Sequence, residues 1–386
     1  MTEQGTKGKL SEEERLKQMA AQMRAEEYKG LSEEEIRERE RQKEMRKKEN
    51  IGILNDTLNI LEQGCYEKAG RNVKLGFSQE QMRKVQVFLP QDIELLRSEN
   101  ISSAVSDEAR AHGKARVQKG TPTQDESRTR GETQAHDGAL TRGDAQAHAD
   151  ARRDDSQSRD TQCVFHCENT DALVLAQKKY QELKENGDAA PRILVLNLAS
   201  ATHPGGHTRK GAGAQEEDLC RRTSLLLSLE SKNAKKYYDY NNARKTRMGS
   251  DAVLLSPYVD VVKNSSAETL AEPFPISVMS CGAPMVRLGL EGMSQQEYEE
   301  MLCKRIQGIL LVAASQNYRH LILGAFGCGV YGNDAATVSD LFARAIRSLT
   351  YAGKDSSRLF STIDFAVLCP PDRDYNYREF CRNFSV

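Results

Sequence analysis

Six short aliphatic runs alternate with helical patterns from about residue 161 to the C-terminus, and this alternation restricts the fold more than any other feature. The runs are "TQCVFH", "RILVLNLA", "AVLLSPYV", "PISVMS", "RHLILGAF" and "STIDFAVLC"; between them lie helical patterns over 170–185, 216–239, 294–316 and 334–349. Strands apolar at successive positions need cover on both faces, so strands interleaved with helices predict an α/β layered fold with a mostly parallel or mixed sheet. Ligands of such sheets bind at the carboxyl ends of the strands. Two Gly-rich stretches follow strand ends here: "HPGGHTRKGAGAQEEDLCRR" at 203–222 and "GAFGCGVYGND" at 324–334.

The preceding half of the chain divides by composition. Residues 1–49 are about half charged with balanced signs, and carry a doubled phrase, "LSEEERL" at Leu10 and "LSEEEIR" at Leu31. Ser11 with Glu14 and Ser32 with Glu35 are capping boxes, which predict helix starts in a charged tail with little to bury; a coiled-coil partner helix is the alternative. From Asn50, the residues Ile53, Leu54, Leu58 and Leu61 repeat at helical spacing up to Gly64, so 50–103 reads as a helical extension of the folded body. Residues 104–160 almost lack large apolar side chains and repeat "TRGETQAHDGAL" as "TRGDAQAHADAR", bringing His136 and His148 with them. A repeat that short without aliphatics cannot bury a stacked core, so it predicts a disordered insert, followed by the main folded domain at 161–386.

At 386 residues and 38% hydrophobic content a sizeable core is available, while a net charge of -1 gives no global reason for nucleic-acid or membrane binding. Any anion site must be local. Nine cysteines, an odd number without dense spacing, predict reduced thiols in a cytosol-like compartment, hence a soluble cytoplasmic protein. Cys163, His166 and Cys167 in "CVFHC" lack a second half-site at zinc-ligand spacing and read as a buried strand. No stretch approaches a membrane span.

The chemistry concentrates in the two Gly-rich loops. Gly327, Gly329 and Gly332 match G-x-G-x-x-G, but only one strand follows, and no acid ends it at the spacing of a ribose contact. What remains of the motif is backbone N–H groups that can approach a phosphate ahead of a helix capped by Asn333 or Asp334. In the first loop Glu216, Glu217 and Asp218 occupy a first helical turn, where carboxylates favour the positive dipole end. That account leaves unexplained why Gln215 and adjacent acids follow Gly205, Gly206, Gly211 and Gly213; such glycines let backbone wrap a sugar or phosphate while the helix aims acids at it.

These two motifs, in this order, resemble the bacterial-type poly(ADP-ribose) glycohydrolases, whose signature is Gly-Gly-Gly, six to eight residues, then Gln-Glu-Glu. Here it is Gly205, Gly206 and His207, then 208–214, then Gln215, Glu216 and Glu217, flanked by "VLNLASATHPGG" and "AQEEDLCRR" and followed by "LILGAFGCGVYGN". The resemblance covers 50–101 weakly and 162 to the C-terminus well. It implies a macrodomain-like three-layer α/β fold with a central mixed sheet and an N-terminal helical extension. It implies Glu217 as the catalytic glutamate and Glu216 as the acid contacting the terminal ribose. Gly205 and Gly206 would lie near that ribose, Gln215 would support it, and Asn197 would face the distal ribose. Gly327, Gly329, Val330, Tyr331 and Gly332 would cradle the pyrophosphate, with Tyr331 ordering the terminal ribose. His207 departs from the signature: its Cβ and ring narrow the pocket, force another course if φ there is positive, or serve as a titratable helper.

The implied reaction is hydrolysis of the ribose–ribose O-glycosidic bond of poly(ADP-ribose), exo-acting and releasing ADP-ribose, without metal or cofactor. Its partner would be the polymer or an ADP-ribosylated protein, with no membrane or direct nucleic-acid contact and an unidentified partner for the tail. Two adjacent half-buried carboxylates repel, raising one apparent pKa toward working pH. A non-catalytic ADP-ribose-binding module and a mono-ADP-ribosyl-protein hydrolase are the other readings.

Overall fold

The structure, a computed structural model, describes residues 12–98 and 162–385. The tandem repeat and the first capping box, which needs Ser11, lie outside the described residues. The first described segment runs α1 (Glu12–Glu27), α2 (Glu33–Gln63), a hairpin β1 (Cys65–Lys68) and β2 (Arg71–Lys74), α3 (Gln79–Met82), β3 (Gln86–Phe88) and α4 (90–98). The second begins with β4 (Val164–Glu168), α5 (Ala172–Glu185), β5 (Ile193–Ala199), a 3-10 turn (Thr208–Lys210), α6 (Gln215–Arg222), α7 (Leu225–Leu229) and α8 (Lys235–Arg244). It continues with β6 (Val253–Lys263), β7 (Thr269–Gly282), α9 (Gln295–Ser315), β8 (His320–Leu323) and α10 (Ala335–Ser348). It closes with β9 (Thr350–Tyr351), β10 (Lys354–Asp355), α11 (Ser356–Leu359), β11 (Thr362–Ala366) and α12 (Tyr375–Phe384).

Seven strands form the central sheet in the order β3-β6-β7-β5-β8-β11-β4. The β7, β5, β8, β11 and β4 neighbours pair in parallel, whereas β6 runs antiparallel to both β3 and β7. Alternation along β5 separates two cores. Leu194 and Leu196 join α9, α10 and α12 on one face; Ile193 and Val195 join α5 to α8 and Leu54 of α2 on the other. Helices on both faces of a mixed sheet are the three-layer α/β arrangement that the aliphatic alternation requires.

All six strand-like runs are strands, and the capping boxes of Ser32 with Glu35 and Ser294 with Glu297 open α2 and α9. The single helix expected over 216–239 is instead three. Thr223 turns extended (φ -138°, ψ 174°), bonds its hydroxyl to Leu219 O and bridges Val261, so strand contact outcompetes helix continuation. The charged-to-apolar change near Asn50 falls inside α2, which runs unbroken. Its first half meets α1 through exposed ion pairs such as Lys43 with Glu27, and its second half buries Leu54, Thr57, Ile60 and Leu61. Exposed pairs of that kind contribute little, so the apolar end anchors the helix.

That anchor reaches the signature loop. Thr57 Oγ1 donates to Arg221 O, and Asn50 Nδ2 donates to Gly211 O at 3.0 Å. Gly211 has φ +76°, and a Cβ there would stand 2.3 Å from Lys47 O. Its freedom therefore admits the α2 backbone and not a sugar, a correction to the sequence reading of this glycine. Gly211→Ala should cost about 2–4 kcal/mol through strain and overpacking. Gly213→Ala, whose Cβ would meet nothing nearer than 3.8 Å, should cost under about 1 kcal/mol. Denaturant unfolding of both variants checks this, and equal losses would contradict it.

Candidate active site

Because β5 and β8 are parallel neighbours, the two Gly-rich loops leave the same edge of the sheet side by side. The loop after β7, on the other flank of β5, packs close too: a Cβ on Gly282 would lie 2.7 Å from the Ala201 Cβ.

Gln215 fixes the start of α6. β8 pairs with β5 only as far as Val195, and beyond it the Gln215 amide takes over the free edge. Its Nε2 donates to Leu196 O at 2.8 Å and its Oε1 accepts the Leu198 N–H at 2.9 Å. Both ends of the amide are thereby engaged by strand backbone, so in this structure Gln215 positions the helix and its acids.

The two acids that follow are buried, Glu216 at 3% and Glu217 at 7% exposure. Glu216 Oε2 accepts the Ser200 N–H at 2.7 Å, and Oε1 lies 3.4 Å from Asn197 Nδ2, which also donates to Ser280 Oγ at 2.9 Å. Burial pushes the Glu216 pKa from its usual 4.5 up to about 8; the Glu217 charge adds to the rise, and the Ser200 N–H and Asn197 amide oppose it. Glu217 Oε1 accepts the His207 N–H at 2.9 Å. Its Oε2, like Asn197 Oδ1, is buried without a hydrogen-bond partner. Such atoms are costly in a core, so two of them in one site single this spot out from the rest of the interior.

Gly205 (φ +65°) and Gly206 (φ +58°) make the turn over these acids. A Cβ on Gly206 would sit 2.4 Å from Glu217 Oε1 and 3.0 Å from Glu216 Oε2; one on Gly205 would strike Leu226 Cδ1 at 2.7 Å. His207, in place of the third glycine, has φ -111° and ψ 31°, so its Cβ carries no left-handed strain and the loop keeps its course. Its ring stacks on that of His203, centroids 5.6 Å apart at 28°, and both residues are exposed.

The second loop is held open from outside. Arg287 donates from Nε to Val330 O and from Nη2 to Gly329 O, each at 3.0 Å, while the Val286 and Arg287 N–H groups donate to Tyr331 O. With these carbonyls engaged, the N–H groups of Gly329, Val330 and Tyr331 have no acceptor among the described residues, and a Cβ on Gly329 would point into open space. Three consecutive unpaired N–H groups are the raw material of an anion-binding nest. Gly327 (φ +76°) and Gly332 (φ +78°) supply its left-handed turns. Of the two candidate caps, Asp334 caps α10 by accepting the Thr337 N–H at 2.9 Å. Asn333 is buried, donating to Pro284 O and Gly327 O and accepting from the Tyr298 hydroxyl. Burial pushes the Tyr331 pKa up and the Glu216 charge adds to the rise, while a hydrogen bond with Ser200 opposes it.

All eleven expected site residues thus lie on one edge of the sheet. Arg287, Ser200, Ser280 and His203 join them without having been legible: Arg287 follows β7 in "PMVRLGL", which carries no motif. Cys163, His166 and Cys167 lie elsewhere, on or beside the edge strand β4, where His166 Nδ1 is 2.7 Å from Asp364 Oδ1. A separate cavity of about 410 Å³ is lined by Tyr240, Asp251, Met301 and Arg305 among others, and shares no lining residue with the expected site.

A three-layer mixed sheet with a glycine turn over two buried acids and a second Gly-rich loop after the neighbouring strand is a macrodomain-like arrangement. The profile of the microbial-type PARG catalytic domain matches residues 54–264, more than half of the chain, and the chain belongs to this family of poly(ADP-ribose) glycosidases. A solved poly(ADP-ribose) glycohydrolase from Thermomonospora curvata is similar at 25% identity and a TM-score of 0.64, covering 87% of this chain and 99% of that one. One from Deinococcus radiodurans, in complex with ADP-ribose, is similar at 26% identity and a TM-score of 0.56, covering 81% and 98%. Among curated proteins no sequence match was found. No helix among the described residues is long and apolar enough to cross a membrane.

The raised Glu216 pKa makes stability depend on pH. The fold favours the neutral acid, so its contribution is fully present below about pH 4.5, the unfolded value, and is lost as pH rises through about 8. Glu216→Gln removes this dependence. Between about pH 5 and pH 8.5 the variant should gain on the order of a few kcal/mol relative to the native chain. Unfolding curves at the two pH values check it; a pH-independent difference would contradict it.

Proposed function

We propose that this chain cleaves poly(ADP-ribose) at its ends and releases ADP-ribose, with Glu217 as general acid and then base. The observation that carries the assignment is the Glu217 carboxyl, with Oε1 beneath Gly206 and Oε2 buried and unpartnered. The terminal ADP-ribose lies with its pyrophosphate on the N–H groups of Gly329, Val330 and Tyr331 and its distal ribose at Asn197, Glu216 and the glycine turn. Two acids, both within 3.0 Å of the point where a Gly206 Cβ would stand, cannot both ionise cheaply, so the pair retains one proton through neutral pH.

As the glycosidic bond breaks, oxocarbenium character develops at the anomeric carbon, and the one proton of the Glu216–Glu217 pair is delivered from Glu217 to the departing 2′-oxygen. The resulting carboxylate accepts a proton from water as the water oxygen bonds to the anomeric carbon, which restores the acid. Glu216 holds ribose hydroxyls, and Gln215 and the His207 N–H hold the acids in register. The polymer, free or attached to a protein, is the partner in this reading, which places the reaction in the cytoplasm and uses neither metal nor cofactor.

Release of free ADP-ribose from purified poly(ADP-ribose) tests it. Glu217→Gln should lower the rate by about 10²-fold or more, while calorimetry finds ADP-ribose affinity within about threefold of the native chain. Early product should be the monomer. A variant retaining more than a tenth of the native rate would remove Glu217 from the role, and early oligomers would remove the end-directed mode.

A further inference from the structure

The bond to be broken joins the anomeric carbon of one ribose to the 2′-oxygen of an adenosine, and that oxygen is separated from the adenine by only the C2′ and C1′ carbons. Whatever protonates the 2′-oxygen therefore stands beside a flat base belonging to the unit that leaves. On the reading above, which this inference rests on, the proton donor is Glu217.

The residue whose N–H holds Glu217 is His207, at 2.9 Å, and its ring is stacked on His203. Both residues are exposed. The pair is held by its own turn: the Gly206 N–H donates to His203 O, the His203 N–H to Ser200 Oγ, and the Lys210 N–H to His207 O at 2.9 Å. Thr202 Oγ1 lies 2.9 Å from His203 Nδ1, and Asn242 Nδ2 donates to Thr202 O, tying the turn to α8. Neither ring is used by the catalytic steps, and the signature calls for glycine where His207 stands. Two aromatic rings stacked at 28°, on a turn whose backbone bonds the proton donor, present a preorganised face of the kind on which bases stack without much ordering cost.

We propose that His203 and His207 form a polymer-side subsite on which the adenine of the leaving ADP-ribose unit stacks, so that this chain grips the substrate on both sides of the scissile bond. ADP-ribose itself fills only the terminal side, whereas a dimer of ADP-ribose spans both. The two affinities therefore separate the subsite from the rest of the cleft.

Calorimetry in the Glu217→Gln background, which holds the dimer uncleaved, measures both. His203→Ala with His207→Ala should weaken dimer binding about tenfold and leave ADP-ribose binding within about twofold. Changing both positions to Phe, which keeps a flat face, should restore most of the loss. With the acid intact, the Ala pair should raise KM for the dimer about tenfold and change kcat less than about threefold. An unchanged dimer-to-monomer affinity ratio overturns the subsite, as does an equal loss for both ligands or a Phe pair no better than Ala. Failure of the native chain to cleave the dimer would sink the hydrolase reading alone, because the affinity ratio tests the subsite regardless of cleavage.

Discussion

The amide of Gln215, bonded on both sides to the backbone of β5, is the contact on which the site depends. It replaces sheet pairing beyond the reach of β8 and sets the rotation of α6, so that the next two side chains point under the Gly205–Gly206 turn. Without that fixing, two adjacent carboxylates would turn toward water, because burying them raises the free energy of the charged pair. Backbone N–H groups of Ser200 and His207 then divide the acids: each takes one oxygen, and only Glu217 keeps a buried oxygen unpaired. The two acids thus differ in which backbone amide each one meets and in whether a buried oxygen is left over.

The cleft is supported from three directions. α2 presses its backbone onto Gly211 and bonds to the loop through Asn50 and Thr57. Arg287, from the loop after β7, turns the carbonyls of the second loop outward. Arg305 is almost fully buried and donates to Gly282 O at the end of β7 and to Met248 O, with Asp251 beside its Nε. Supporting contacts of this kind keep donors and acids aimed before substrate arrives, which is the main requirement for electrostatic preorganisation.

Much of this was legible in the sequence, and the parts that were not have physical reasons. β5 reads as a central strand because its residues are apolar on both faces, and the two motifs sit where parallel strands end. The sequence alone could not show that β5 and β8 are neighbours, since strand order is a long-range property. The same holds for Gly211, whose left-handed turn serves a helix more than 150 positions upstream, and for Arg287, which acts on backbone carbonyls that carry no side-chain signature. His207 stood out as a departure from the glycine signature, yet only its negative φ shows that the loop tolerates it. The break at Thr223 was hidden because continuing helical periodicity cannot register a competing strand contact.

The arrangement makes one geometric claim that can be examined directly, by a crystal structure of the Glu217→Gln protein with ADP-ribose. The account predicts the distal ribose under the glycine turn, its anomeric hydroxyl within hydrogen-bond distance of the residue 217 side chain, and the pyrophosphate on the N–H groups of Gly329, Val330 and Tyr331. ADP-ribose seated instead in the cavity beside Arg305, or in the cleft with its anomeric carbon out of reach of residue 217, would contradict it.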